Sequence, residues 1–284
     1  MIPAAFNYVR AASLAQAIDL LREDPDGTKL LAGGHTLLPA LKLRLASPEL
    51  LIDIGGITEL KGIEIGKAGV RIGALTRHAD LLASETLFEE LPIFRQAASL
   101  IADPQVRNRG TIGGSLANAD PAADWPAVVV ALKAEIEIAG ANGHRRVAAQ
   151  DFFVDIFSTV LEPDEVLTSI HIPRPTAGMR FMYRKIRHPA SGFAVVGIAV
   201  GVRMRDGVVA EVSLGVTGAA NHAFAGQAAA DFLTGKTLSR ENIDQAATLL
   251  SETTECLSDR YASAEYRANL IRTETRRALL ALSL

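Results

Sequence analysis

Apolar positions along the chain repeat with two periods, and the places where the period changes divide it. Over residues 13–22, Leu14, Ala17, Ile18 and Leu21 have helical spacing, and Ser13 stands where a hydroxyl caps a first turn. Residues 29–32 form a short apolar strand running into Gly33-Gly34, after which Leu37, Leu41 and Leu45 recur every four residues. That unit is strand, glycine turn, helix, with Pro39 early enough that its missing N–H costs little. Residues 50–54 are a second strand. From residue 57 alternation takes over: 63–65 and 70–72 flank Gly66–Gly69 as a hairpin. Thr76 is placed to cap a helix over 77–82, and a second helix covers 88–101. Residues 102–124, rich in glycine, asparagine and aspartate, read as one long loop, and such loops are usually functional. Asp124 then caps a helix reaching Leu132. Residues 135–139 and 145–148 alternate about Asn142-Gly143, a hairpin signal, and 167–172 is a strand closed by Pro173-Arg174-Pro175.

That proline pair sets the domain boundary: residues 1–175, in lobes of about 1–56 and 57–175, and residues 176–284. Beyond it, strand-like runs at 180–186, 193–204 and 208–218 precede an alanine- and leucine-rich helical stretch from 223 to 284. The fold class is therefore α+β, with a two-lobed first domain and a small second domain of three strands then helices.

Length and composition agree. The 284 residues suit about two domains, and 49% hydrophobic against 21% charged residues is enough for a substantial core. Net charge is −3, with no block of five or more Lys/Arg, which excludes the basic footprint of a nucleic-acid binder. Cys256 is the only cysteine, so the chain can form no internal disulfide and cannot hold an iron–sulfur cluster on four thiolates of its own. A reducing, cytoplasmic compartment fits that usage. No apolar run approaches the ~20 residues needed to cross a bilayer, and residues 1–7 lack the basic region and apolar core of a signal peptide.

Two stretches carry candidate chemistry. In Ala32-Gly33-Gly34-His35-Thr36-Leu37-Leu38-Pro39, a diglycine turn lets a ligand approach the backbone without a Cβ in the way and aims amide N–H groups outward, which suits phosphate. One such turn can equally be a bare connection. Arg109-Gly110-Thr111-Ile112-Gly113-Gly114-Ser115-Leu116-Ala117-Asn118 repeats the design with hydroxyls beside the glycines, and loops 80 residues apart can converge on one long nucleotide. Asp124 can accept from a ribose or ribityl hydroxyl, or serve only as the helix cap. Other fingerprints fail. There is no G-x-G-x-x-G after a strand and no G-x-S-x-G elbow. Gly235-Lys236-Thr237 lacks the upstream glycine of a P-loop, its place taken by Ala230. The six histidines show no metal-binding spacing.

The first string, taken with Arg109 to Asp124 (RGTIGGSLANADPAAD) and Ala102-Asp103-Pro104-Gln105-Val106-Arg107, resembles the FAD-binding flavoprotein (medium) subunits of molybdenum hydroxylases. That family includes the medium subunit of aerobic carbon monoxide dehydrogenase and the related FAD domain of xanthine dehydrogenase, and the similarity runs essentially end to end. It implies a two-lobed FAD domain of the vanillyl-alcohol-oxidase type and noncovalent FAD. By matching positions, Leu31, Ala32, Gly33, Gly34, His35, Thr36, Leu37 and Leu38, with Thr111, Ile112, Gly113, Gly114 and Ser115, would wrap the pyrophosphate with backbone amides. Asn118 belongs to the same cofactor-binding set. Asp124 would meet hydroxyls, Leu167 the isoalloxazine region, and Lys185 the flavin ring, where a cation stabilises an anionic reduced flavin. Phe193 stands where a tyrosine shields the flavin in the carbon monoxide enzyme, so it can cover a ring face without a hydroxyl.

The resemblance further implies an electron-transfer role. The molybdenum–pterin cofactor and [2Fe–2S] clusters would sit on partner chains, a large molybdenum subunit and a small iron–sulfur subunit, in a dimer of heterotrimers. Electrons would leave from here to a quinone, NAD or another acceptor. The metal and the substrate site would both lie elsewhere. A free-standing FAD oxidase or dehydrogenase acting on its own small substrate is the alternative, and a nucleotide-binding module without redox work a third.

Overall fold

Ser13 caps helix α1 (Leu14–Glu23), its Oγ accepting the Gln16 amide at 3.2 Å, and Ala17 and Leu21 on one face are buried. In the computed structural model, which describes residues 1–283, α1 lies between strands β1 (Asn7–Arg10) and β2 (Thr28–Leu31). Helix α2 (Leu37–Leu43) then leads to β3 (Leu50–Asp53). Helical crossovers allow parallel pairing, and the strands form a parallel sheet in the order β1–β3–β2, with Asn7 and Thr28 both in register with Leu50. β1 carries no apolar alternation and was not expected.

The second lobe is an antiparallel sheet. β4 (Ile63–Gly66) and β5 (Gly69–Gly73) form one hairpin, and β6 (Glu135–Gly140) and β7 (Gly143–Ala148) another. A two-stranded ribbon, β8 (Phe153–Asp155) with β9 (Ser158–Thr159), precedes β10 (Val166–Pro173), which inserts between the hairpins to give β4–β5–β10–β6–β7. Its central position explains the nearly unbroken burial of Val166 to Ile170.

Between β5 and β6 the chain is helical, and here several expectations change. The helix expected over 88–101 is two, α4 (Glu85–Glu90) and α5 (Ile93–Leu100), after α3 (His78–Ala83). Pro92 breaks them, since it has no N–H to donate and pushes the preceding residue out of helical geometry. Thr76 does not cap α3. Arg77 holds the cap position, and the Thr76 hydroxyl donates to the Gly62 carbonyl at 3.0 Å. The supposed loop over 102–124 contains α6 (Pro104–Arg107) and α7 (Ile112–Asn118). Asp103 Oδ1 accepts the Val106 amide at 2.9 Å and Thr111 Oγ1 the Gly114 amide at 3.1 Å, both as N-caps. Asp124 is not the cap of α8 (Asp124–Ala131); Ala123 is, and Asp124 is the first helical residue.

Every residue of α8 is buried, as expected of a helix that is apolar on all sides after Asp124. The short α9 (Ala149–Phe152) closes this lobe. The third sheet runs β11 (Arg180–Arg187), β12 (Ala194–Arg205), β13 (Val208–Thr217) and the two-residue β14 (Phe224–Ala225), all antiparallel. The C-terminal part thus has four strands, β14 being too short to show a period. It packs onto α8 so tightly that a Cβ on Gly215 would lie 2.0 Å from the Ala127 carbonyl oxygen, which only glycine permits. Tyr183 and Ala199 of this sheet belong to the same core cluster as Trp125 and Phe94. Helices α10 (Gln227–Leu233), α11 (Arg240–Glu252) and α12 (Ala264–Ser283) form a further core with the sheet, in which Ile198, Val200, Ile243 and Ile271 are buried. Leu284, the last residue of the expected helical stretch, lies outside the described residues.

Candidate functional site

A cleft of about 830 Å³ is lined by all three parts of the chain. That is at the upper end of the roughly 300–1,000 Å³ range of small-molecule sites. The parallel lobe contributes Ala32 to Leu37. The second lobe contributes His78, Gly110, Thr111, Gly113 to Ser115, Asn118, Asp120, Asp124 and Leu167, and the third sheet contributes the turn Ser191 to Phe193. Leu31, Leu38, Ile112 and Lys185 do not line it. Leu31 and Leu38 flank Gly34, their Cδ1 atoms 3.3 and 3.0 Å from where a Cβ would be, and Ile112 is fully buried in the core.

The two diglycine segments do converge. A Cβ on Gly33 would stand 2.2 Å from the Arg109 carbonyl oxygen and 3.0 Å from the Gly110 Cα, so backbone meets backbone at the cleft wall. Gly34 has φ +78°, a conformation that favours glycine. Their hydrogen bonding differs. The amides of Gly33, Gly34, His35 and Thr36 have no protein acceptor among the described residues, and Thr36 makes no cap hydrogen bond with its side chain.

In the second segment the amides of residues 112–115 are spent within the chain, while that of Thr111 has no protein acceptor among the described residues. Ile112 N donates to Thr76 O at 3.0 Å, Gly113 N to Ala74 O at 2.8 Å and Ser115 N to Thr111 O at 3.0 Å, and Gly114 N is taken by the Thr111 hydroxyl. The expectation that residues 111–115 grip a ligand with backbone amides is therefore corrected for 112–115, leaving the Thr111 amide alone open. The Gly113 position is set by packing, since a Cβ there would meet Ala74 Cβ at 2.5 Å. The polar residues of this segment that line the cleft are Thr111, Ser115 and Asn118.

Asp124 sits at the cleft but is 5% exposed. Tyr183 donates to its Oδ1 at 2.6 Å and Lys185 to its Oδ2 at 2.8 Å. Burial pushes the Asp124 carboxyl up and the Lys185 ammonium down, while their mutual attraction opposes both. Lys185, its side chain 1% exposed, also donates to the Leu100 carbonyl, so its charge is spent behind the wall. Asp120 was missed from the sequence. It lines the cleft, its Oδ1 accepts the Ala122 amide at 2.9 Å, and burial raises its pKa. His78 was missed too, because a lone histidine at the start of a helix carries no spacing signal. Its Nδ1 accepts the Trp125 indole N–H at 3.0 Å.

Phe193 is 42% exposed at the cleft. The turn before it is held by His188, whose Nδ1 accepts the amides of Ala190 and Ser191, each at 3.2 Å. A long cleft with unspent amides at a close-packed glycine and an exposed aromatic ring at the third sheet fits a flavin dinucleotide. Among the described residues no group of His, Cys, Asp or Glu could hold a metal ion, and no helix is long and apolar enough to cross a membrane.

Comparison with known proteins agrees with that chemistry. Residues 4–175 match the FAD binding domain in molybdopterin dehydrogenase, and residues 181–282 match the CO dehydrogenase flavoprotein C-terminal domain. The chain is 40% identical over 279 residues to the carbon monoxide dehydrogenase medium chain of Afipia carboxidovorans, covering 98% of this chain and 97% of that one. It is 36% identical over 278 residues to the glyceraldehyde dehydrogenase medium chain of Sulfolobus acidocaldarius, covering 98% of each. A chain of reconstituted CO dehydrogenase from Oligotropha carboxidovorans superposes with a TM-score of 0.97 at 39% identity, over 100% of this chain and 99% of that one. With both family models and near-complete relatives in agreement, the chain belongs to the FAD-binding flavoprotein family of the molybdenum hydroxylases.

Proposed function

We propose that this chain is the FAD-bearing electron-transfer subunit of a molybdenum hydroxylase, taking electrons from [2Fe–2S] clusters on a partner and passing them to an external acceptor. The observation that carries the reading is a cleft walled by all three parts of the chain, with Gly33 pressed against the Arg109 carbonyl. FAD, when bound, supplies a ring that stores electrons received in single steps and releases them in pairs.

The residues of the chain divide the work of holding it. The unspent amides of residues 33–36 suit the diphosphate, since charge-assisted hydrogen bonds are about twice as strong as neutral ones. Ser115, Asn118 and the remaining lone pairs of Asp120 suit hydroxyls along the sugar chain. Leu167 and Phe193 exclude water from a flat ring. The Tyr183–Asp124–Lys185 cluster keeps the wall near neutral and ties the third sheet to the cleft.

With Cys256 as the sole cysteine, the clusters belong on a small iron–sulfur subunit and the molybdenum cofactor on a large subunit. The assembly is proposed as a dimer of such heterotrimers in the cytoplasm, its acceptor a quinone, NAD or a similar carrier. The relatives oxidise substrates as unlike as carbon monoxide and glyceraldehyde by their names, which supports placing substrate choice on the large subunit.

The full chain, purified with the subunits that accompany it, is expected to show flavin absorbance and to release one FAD per chain on denaturation. It should come with an iron–sulfur chain and a molybdenum chain. Colourless protein, or oxidation of a small substrate by this chain alone, would overturn the proposal.

A further inference from the structure

His78 opens α3, and its backbone N–H donates to the Gly110 carbonyl at 3.0 Å, fixing it beside the second glycine segment. The residue is 6% exposed. An indole nitrogen can only donate, so the Nδ1 that accepts from Trp125 carries no proton, and a neutral ring must hold its proton on Nε2. Burial, reinforced by the basic neighbours His35 and Arg107, pushes the imidazole down to about 4, so the ring is neutral near pH 7. The tautomer is therefore fixed as Nε2–H by a core tryptophan.

That N–H has no acceptor in the protein among the described residues. Its edge lies against Gly110, where a Cβ would stand 2.7 Å from Nε2. Both residues line the cleft, and Nε2 is not among the unpaired polar atoms sealed in the interior. Gly110 is also the residue against which Gly33 packs. An oriented donor thus faces the cleft beside the unspent amides of the first loop, in a neighbourhood whose nearby charges, His35 and Arg107, are both basic types. A fixed donor at a cleft wall with no protein acceptor suits an anionic oxygen, because hydrogen bonds to an ionised acceptor are about twice as strong as neutral ones.

We infer that His78 is a binding residue of the cleft, its Nε2–H donating to a phosphate oxygen of the dinucleotide, with Trp125 as the positioning residue that fixes the tautomer. The inference rests on the FAD reading above. It makes His78 a pH-independent donor across the neutral range, unlike a surface histidine whose charge would come and go.

The experiment uses the full chain with its accompanying subunits after reversible removal of FAD. Affinities are measured for FAD, for ADP as a probe of the diphosphate and for riboflavin as a phosphate-free probe. His78→Phe, which keeps the ring and loses both nitrogens, is expected to weaken FAD and ADP about tenfold or more and to leave riboflavin unchanged. His78→Gln, which can place an amide N–H near Nε2, should recover most of the loss.

A nitrogen NMR readout on the unaltered protein does not depend on how the variants fold. Adding ADP should move the Nε2 resonance of His78 and leave Nδ1 in place. Unchanged FAD affinity in His78→Phe, an equal loss for riboflavin, or a silent Nε2 resonance would overturn the inference. Failure of the FAD reading looks different: the unaltered chain would bind no FAD, or Gly33→Val would bind it normally.

Discussion

At Gly33-Gly34 the chain leaves β2 with the amides of residues 33–36 unspent on protein acceptors, whereas at Gly113-Gly114 every amide from Ile112 to Ser115 is donated within the chain. The two doublets look the same in one-letter code. One is a turn whose second glycine needs a positive φ and whose first meets a carbonyl from the other lobe. The other lies inside a helix, where Gly113 is needed only because Ala74 leaves no room for a side chain. A glycine doublet thus marks a place where backbone comes close to something; whether that something is a ligand depends on where the N–H groups point.

The largest expected effect tests the first loop. Gly33→Ala puts a methyl 2.2 Å from a backbone carbonyl that cannot swing away. The lobes must part, at an overpacking cost of about 1–3 kcal/mol or more. FAD content of the purified protein should fall to a small fraction of normal; full retention would show that the convergence of the loops is not what holds the cofactor.

Acid should act on the second segment, through His78. The imidazole is held near 4 in the folded chain against 6.5 when free, so between those values the unfolded chain binds a proton that the native one refuses. Stability from this group is complete above pH 6.5 and is lost as pH falls toward about 4, by about 3 kcal/mol in total. Urea midpoints across that range should drop in the native protein and drop less in His78→Phe. Amide exchange should show residues 112–115 protected at neutral pH and loosening in acid, with residues 33–36 exchanging freely unless FAD is present.

A smaller effect is expected at Thr111. Its hydroxyl accepts the Gly114 amide at 3.1 Å as the cap of α7, so Thr111→Val should cost about 1 kcal/mol of stability. FAD affinity should change far less than with Gly33→Ala. If cofactor loss instead matched that of Gly33→Ala, the contrast between the loops would be wrong.

Elements with strong local signals could be read directly: the Ser13 cap, the strand–glycine–helix unit, the Asn142-Gly143 hairpin, and β11 to β13, the last two joined at Asp206-Gly207. The helices in 102–124 were not read, since glycine costs about 1 kcal/mol in a helix and the segment looks like a loop. Yet Asp103-Pro104 and Thr111 carried cap signals that the glycines obscured. The role of Asp124 was unreadable for another reason. Its partners Tyr183 and Lys185 lie 59 and 61 residues away, and nothing near position 124 foretells them.

The sequence by itself determined the α+β class, the two glycine segments, a cysteine count too low for a four-thiolate iron–sulfur cluster on this chain, and, through its motifs, the family. Those properties follow from composition and from neighbours within a few residues. Only the tertiary structure decided which amides are free, that Lys185 is neutralised behind Asp124, and that Trp125 sets the tautomer of a histidine at the cleft. Each depends on groups brought together from distant parts of the chain, and a hydrogen bond is satisfied or left open only once both partners have a place in space.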